Sequence, residues 1–285
     1  MRIKLQASQV PKHTDEQPLL KQVKHMPKPA KTFAIANQKG GVGKTTTAIN
    51  LAASLAHTGL STLLVDLDPQ GNATSALGHE KVEQGSILAA VHDSEPLASK
   101  VLKTRIANLS IIPGETDLAM LEAELTKKEN YLHQFKKHLE PLQNSGEYQV
   151  VVLDCPPSLG LICMNALAAS DLYLVPMQCE YLAMEGLGQI LNVARGLKEA
   201  GANPNLELGG IVLTMYDART NLSRQVEAEV RKHLTSGVFK TTIPRTVRLG
   251  EAPSFGQTIF EYDPFGPASA AYTALCKEVI SRFSL

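Results

Sequence analysis

Long apolar runs are missing from this 285-residue chain, and none approaches the ~20 residues that a membrane-spanning helix needs. The N-terminus has no apolar segment of the kind that opens a secretory signal, so a cytoplasmic protein is expected. Cys155, Cys163, Cys179 and Cys276 contain no C-x-x-C pair, which argues against a zinc site or a disulfide framework. In their apolar surroundings they read as reduced, mostly buried thiols. Aromatics are sparse at 5%, and no helix-turn-helix pattern is present, so base-by-base reading of nucleic acid is not expected. There is no internal repeat and no net charge, 28 Lys and Arg standing against 28 Asp and Glu. What remains, 44% hydrophobic and 20% charged residues, is the composition of an ordinary globular protein.

The zero charge hides an asymmetry. Residues 1–31 carry Arg2, Lys4, Lys12, Lys21, Lys24, Lys28 and Lys31 against Asp15 and Glu16, a balance of +5 that leaves −5 for the rest. With Pro11, Pro18, Pro27 and Pro29 and no sustained periodicity, this stretch predicts a flexible basic arm. A cationic segment of this kind could also touch phosphates.

Beyond it, short apolar runs alternate with helical patterns. Strands are expected over 32–37, 61–66, 109–112, 149–154, 171–176, 208–214 and 238–243. Val150-Val151-Val152-Leu153 is apolar throughout, as in a strand covered on both faces. Ala48, Leu51, Ala52 and Leu55 keep i, i+3, i+4, i+7 spacing, and Gly59 is a plausible helix stop. The alternation predicts an α/β fold: one domain over 32–285, a mostly parallel twisted sheet, and helices on both faces. Ligands then bind beyond the carboxyl ends of the strands.

One segment has the right context for such a ligand. Residues 37–47 read Asn-Gln-Lys-Gly-Gly-Val-Gly-Lys-Thr-Thr-Thr, between an apolar strand and a helical pattern. Gly40, Gly41 and Gly43 let backbone N–H groups turn inward, and with Val42 and the helix start they form a polyphosphate cradle. Lys44 can reach the β- and γ-phosphates, the Thr45 hydroxyl can ligate Mg²⁺, and Thr46 extends the binding loop. The usual pattern would place glycine at 38, where this chain has Gln38, and Lys39 is an added cation at the loop entrance. Two strand ends complete the set. Leu64-Val65-Asp66-Leu67-Asp68 runs into Pro69 and Gly71, so both carboxylates sit where a strand gives way to a loop. Val152-Leu153-Asp154 is an apolar strand ending in aspartate, followed by Pro156 and Pro157, which stiffen the loop, and Gly160, which leaves it mobile. The chemistry these residues suit is phosphoryl transfer to water from a polyphosphate, with Mg²⁺ as cofactor.

The loop with its extra lysine resembles the deviant Walker A loop of the ParA/MinD ATPases. Gln178-Cys179-Glu180-Tyr181, Glu185-Gly186-Leu187 and Ile243-Pro244-Arg245-Thr246-Val247-Arg248 match the ParA/Soj pattern over about residues 32–285. The resemblance implies that the polyphosphate is ATP, and that the protein is an ATP-dependent homodimer in which Lys39 reaches the other subunit's nucleotide. It implies that Asp68 positions or polarises the attacking water, that Asp68 and Asp154 approach Mg²⁺ through water, and that Asp66 supports the loop or the Mg²⁺ shell. The backbone near Pro244 and Thr246 would lie beside the adenine. Lys39, Lys44 and Asp68 are then the catalytic residues. No arginine finger is evident and Asp68 is a weak base, so slow turnover is expected unless a partner stimulates it.

The resemblance also implies non-specific binding of double-stranded DNA through Arg219 and Arg248. They lie in a stretch, 215–248, that also carries Arg224, Arg231, Lys232, Lys240 and Arg245 against only Asp217, Glu227 and Glu229. The implied role is movement of a chromosome origin or plasmid on the nucleoid, with a ParB-type centromere-binding partner. A MinD-like membrane-cycling ATPase is the main alternative. It needs an amphipathic C-terminal anchor, and residues 271–285, with only Lys277 and Arg282 as cations, make a poor one. An iron–sulfur relative would need cluster ligands that Cys155 and Cys163 are not spaced to provide. A purely structural, filament-forming role is a third reading.

Overall fold

A computed structural model describes residues 28–180, 183–234 and 237–285. Most of the expected basic arm falls on residues 1–27 and lies outside the described residues. Lys31, counted with the arm above, is instead the first residue of a strand, and the buried Ala30 donates its N–H to the Gln143 carbonyl at 2.8 Å.

The strands are β1 Lys31–Ile35, β2 Thr62–Asp66, β3 Leu102–Lys103, β4 Leu109–Ile112, β5 Val150–Asp154, β6 Leu172–Gln178, β7 Glu207–Tyr216 and β8 Val238–Pro244. They form one sheet in the order β3-β4-β2-β5-β1-β6-β7-β8. Each neighbouring pair is parallel except β3–β4. The seven expected strands are all present. The eighth, β3, is two exposed residues long and too short to show a period.

Alternation along the central strands divides the core into two layers. Phe33, Ile35, Val150 and Val152 face one side, whereas Ala34, Val151 and Leu153 face the other. The first layer is closed by the helix Lys44–His57, which buries Ala48, Leu51, Ala52 and Leu55, and by the helix Pro267–Phe283. Each fully buried Leu there contributes roughly 1.5–3 kcal/mol of apolar transfer. The helices Leu118–Leu125, Gln134–Gln143, Leu161–Ala168 and Ala183–Glu199 cover the second layer. Gly59 ends the helix Lys44–His57 as expected, at φ +95° with its N–H bonded to the Ala56 carbonyl.

The C-terminal helix is a core element. Tyr272, Leu275, Cys276 and Val279 are buried, and the Arg282 guanidinium lies 4.2 Å from the centre of the Phe239 ring. Its apolar residues are therefore already used, which leaves little to present to a lipid surface. Among the described residues no helix is long and apolar enough to cross a membrane.

Arg282 and Phe239 meet over an irregularity in the sheet. β6 and β7 lose register between Tyr173 and Leu174, where Gly209 is the extra residue and Gly210 sits at φ +151°. A Cβ on Gly210 would come within 2.6 Å of the Phe239 ring. Gly210→Ala is therefore expected to cost about 2–5 kcal/mol, from backbone strain plus overpacking. Denaturant unfolding checks this, and a loss below about 1 kcal/mol would mean that the bulge relaxes freely.

Candidate functional site

Because the strands are parallel, the segments following β1, β2, β5, β7 and β8 emerge at one edge of the sheet. The glycine-rich loop follows β1. Gly41 and Gly43 have φ of +72° and +85°, which side chains with a Cβ adopt only under strain. The loop is pinned from the sheet side. The Thr214 hydroxyl donates to the Val42 carbonyl at 2.8 Å, and Asn37 Nδ2 donates to the Pro176 carbonyl at 2.7 Å. The helix Lys44–His57 starts with no side-chain cap and no acid in its first turn. An anion at its N-terminus would meet a positive dipole end with no built-in competitor.

The two lysines are held differently. Lys44 is buried, and its Nζ donates to the Lys39 carbonyl at 3.1 Å. Burial pulls its ammonium below the ordinary value, opposed first by Asp154 and then by Cys155 and Asp68. Lys39 is half-buried, and its Nζ lies 2.7 Å from Glu180 Oε2.

The strand-end carboxylates converge beside them. β2 stops at Asp66, so Asp68 is not carried on the strand as a same-face pair would be. Instead the chain turns on its own side chains: Asp66 Oδ1 accepts from the Asp68 N–H at 3.2 Å, and Asp68 Oδ1 accepts from the Gln70 N–H at 2.9 Å. Asp66 is fully buried and also accepts from the Thr74 N–H and hydroxyl, at 2.8 and 2.7 Å. Burial pushes its carboxyl up to about 6, with the Thr74 hydrogen bonds pulling the other way.

Asp154 is the least satisfied group in the site. It is fully buried, and neither carboxylate oxygen has a hydrogen-bond partner among the described residues. Burial, then the charge of Asp66, pushes it well above the carboxylate range, while the nearby Thr45 hydroxyl and Lys44 pull it down. Orphaned oxygens near a threonine hydroxyl are a fitting donor set for a hard cation. The described residues contain no cluster of three or more His, Cys, Asp or Glu that could enclose a metal. Thr45, Asp68 and Asp154 thus suit Mg²⁺, which when bound would offset phosphate charge.

Next to the loop a cavity of about 280 Å³ opens between Gly43, Thr46, Thr214, Pro244, Thr246 and Tyr272. Pro244 and Thr246, singled out from the sequence, are both on its wall. Thr214 and Tyr272 were not, and no local motif marks them, because they arrive from β7 and from the C-terminal helix. Gly160 has a φ of −75°, open to any residue, and a Cβ there would meet the Glu122 carboxylate.

Arg219 and Arg248 lie outside this cavity. The Arg219 side chain is 89% exposed and grips Asp217 with two bonds, 2.9 Å from Nε and 2.8 Å from Nη2. That grip holds the Asp217 carboxyl down at about 2. Arg248 is half-exposed, with Nη1 3.3 Å from Glu251 Oε2. Of the other cations in the stretch, Arg231 is tied to Glu227 and to the Phe239 carbonyl.

The buried carboxylates fix a pH dependence for the nucleotide-free protein. Asp66 titrates at about 6 when folded against an ordinary 3.8, so between those values the folded form holds a proton that the unfolded form has lost. Stability is therefore retained at the acid end of that window and falls as pH rises through it, by roughly 3 kcal/mol for a two-unit shift. Asp154 acts in the same direction. Asp154→Asn is expected to stabilise the nucleotide-free protein near pH 8 by about 1–3 kcal/mol, with a smaller gain near pH 5. Unfolding at both pH values measures this, and an equal or absent gain would show that the Asp154 charge is already compensated.

Comparison with known proteins agrees with this geometry. A family model described as an AAA domain matches residues 30–208. The sporulation initiation inhibitor protein Soj of Bacillus subtilis is 48% identical, over 88% of this chain and 99% of its own. The chromosome partitioning protein ParA of Myxococcus xanthus is 46% identical, over 88% of each. Among solved structures, cobyrinic acid a,c-diamide synthase from Mycobacterium smegmatis with bound ADP and magnesium has a TM-score of 0.78 at 33% identity. That superposition covers 90% of this chain and 96% of the synthase chain. At this identity and coverage, the chain belongs to the ParA/Soj family of chromosome-partitioning ATPases.

Proposed function

We propose that the protein is a DNA-segregation ATPase that binds MgATP, dimerises on it, coats double-stranded DNA without sequence preference and releases the DNA on hydrolysis. The observation that carries the nucleotide half is Asp154, whose two orphaned oxygens lie near Thr45 and Lys44 at the mouth of a glycine loop. In this reading the loop N–H groups and Lys44 take the phosphates, and the cavity walled by Pro244, Thr246 and Tyr272 takes the nucleoside. Thr45, Asp68 and Asp154 would hold Mg²⁺, which would offset phosphate charge. Asp68, fixed by the turn at Gln70, orients the attacking water, and Lys39 meets the nucleotide of the second subunit. The attacking oxygen bonds to the γ-phosphorus as the bond to the ADP oxygen breaks, and the water's proton leaves through Asp68 or the phosphate itself. In this reading no arginine takes the part of a finger, and turnover is slow until a ParB-type partner stimulates it.

Arg219 and Arg248 supply the phosphate contacts, a geometry that suits an arginine fork better than an ammonium. Dimerisation doubles their number and so ties DNA affinity to ATP. The protein then works in the cytoplasm on the nucleoid, with no membrane partner. Support for that last point is the burial of the apolar residues of the C-terminal helix.

The test is binding to an arbitrary-sequence duplex at two salt concentrations with ATP, ADP or no nucleotide. Binding is expected only with ATP, retained by Asp68→Ala, and weakened about tenfold or more by Arg219→Ala. In the dimer, Arg219→Ala also lowers the slope of log affinity against log salt by about 2. Absence of ATP-dependent binding in every variant would sink the DNA-coating half of the reading.

A further inference from the structure

The added lysine of the loop does not point free. Lys39 Nζ lies 2.7 Å from Glu180 Oε2, on the segment that follows β6, and 141 residues separate the two in sequence. Glu180 is itself steadied, because Gln178 Nε2 donates to its other oxygen at 2.6 Å. The root of Lys39 is fixed as well: its N–H donates to Asn37 Oδ1 at 3.1 Å, and Asn37 is anchored to the Pro176 carbonyl. Gly186, at the start of the helix Ala183–Glu199, lies over this root. A Cβ there would come within 3.3 Å of Asn37 Oδ1 and 3.9 Å of Lys39 Cβ. Backbone, side chain and neighbouring helix thus hold the ammonium on an acid of its own subunit. At the same time Lys44 Nζ is satisfied by the Lys39 carbonyl. The nucleotide-free loop is in effect closed on itself.

We infer that Glu180 is a positioning residue that latches Lys39 inside its own subunit, so that nucleotide-dependent dimerisation must exchange this ion pair for the phosphates of the second subunit. The inference rests on the reading of Lys39 given above. It adds that the threshold for dimerisation is set partly by a carboxylate that touches neither nucleotide nor metal. The side chains of Lys39 and Glu180 are 35% and 44% exposed, which makes the latch weak and reversible. A polyphosphate carrying several charges outcompetes a single half-solvated carboxylate, whereas one monovalent anion does not.

Dimer formation of the full chain against protein concentration, with saturating ATP and magnesium and in the Asp68→Ala background to stop hydrolysis, tests this. Glu180→Gln should tighten the dimer by about 2- to 30-fold, because two exposed pairs are lost, each worth a factor of about 1.4 to 5. The gap should narrow at high salt. Gln178→Ala keeps every charge but frees Glu180, and should shift the dimer constant in the same direction by less. Weaker dimerisation of Glu180→Gln would place Glu180 across the interface and overturn the latch. A gain in Glu180→Gln with none in Gln178→Ala would reduce the effect to net charge and equally overturn it. If the Asp68→Ala parent forms no dimer with ATP, the reading of Lys39 falls, and the latch with it. If the parent dimerises and neither variant shifts, only the latch is lost.

Discussion

Two buried carboxylates placed opposite each other set the conditions for everything at this sheet edge. Asp66 and Asp154 are register partners on β2 and β5, and both are fully buried. Two such charges side by side in a poorly solvated site repel, and after burial itself the charge of Asp66 raises the affinity of Asp154 for a proton. The fold deals with them unequally. Asp66 is given three hydrogen bonds and becomes a strut of the Asp68 loop. Its main ligand, Thr74, is in turn steadied by the Gly114 N–H at 2.8 Å. The strut leaves no room at Gly114, where a Cβ would lie 2.9 Å from the Asp66 carboxyl carbon. Asp154 is given no hydrogen bond, only the proximity of Thr45 and Lys44. An unsatisfied buried charge is costly, and its retention at a glycine loop is the pattern of a group whose partner is a ligand.

The cations around this site show the complementary arrangement. Lys44 rests on a carbonyl, Lys39 on Glu180, Arg219 on Asp217 and Arg248 on Glu251. Every cation assigned to a polyanion already has a partner of its own. The exposed ion pairs of Lys39, Arg219 and Arg248 are weak, so they hold side chains in place without committing them. Exchange of such a pair for a phosphate costs little, and what is gained is governed by counterion release. This is why salt is the natural probe of the DNA-facing half and unfolding the natural probe of the buried half.

How far the chain discloses this arrangement depends on the range of each interaction. Elements governed by local pattern were legible: the apolar run of β5, the spacing of the helix Lys44–His57, its stop at Gly59 and the glycine loop itself. The strand-end aspartates were legible as a set because parallel strands share an edge. What stayed hidden is long-range. Glu180 reaches Lys39 across 141 residues and Thr214 reaches Val42 across 172, and neither contact leaves a local signature. The boundary of the arm was misplaced for a similar reason. Ala30 and Lys31 look like the tail of a proline-rich stretch until Val150 and Gln143 are brought beside them.

The same topology bears on how nucleotide and DNA could be linked without a long chain of contacts. Two segments wall the cavity beside the glycine loop, the end of β7 with Thr214 and Met215, and the end of β8 with Pro244 and Thr246. Those segments run directly into the arginines proposed to meet DNA, Arg219 three residues beyond Tyr216 and Arg248 two beyond Thr246. They are also tied to each other, the Arg245 N–H donating to the Tyr216 carbonyl at 3.1 Å. Met215, at the junction, has a φ of +49°, a conformation that costs a bulky residue about 1–3 kcal/mol. Strain at a cavity wall is stored where a bound group can oppose or release it. A base seated against Met215 and Thr246 would therefore act on the roots of both arginine loops at once. In the proposed reading, coupling would need no more than that the wall of the nucleotide cavity is the stem of the arginine loops.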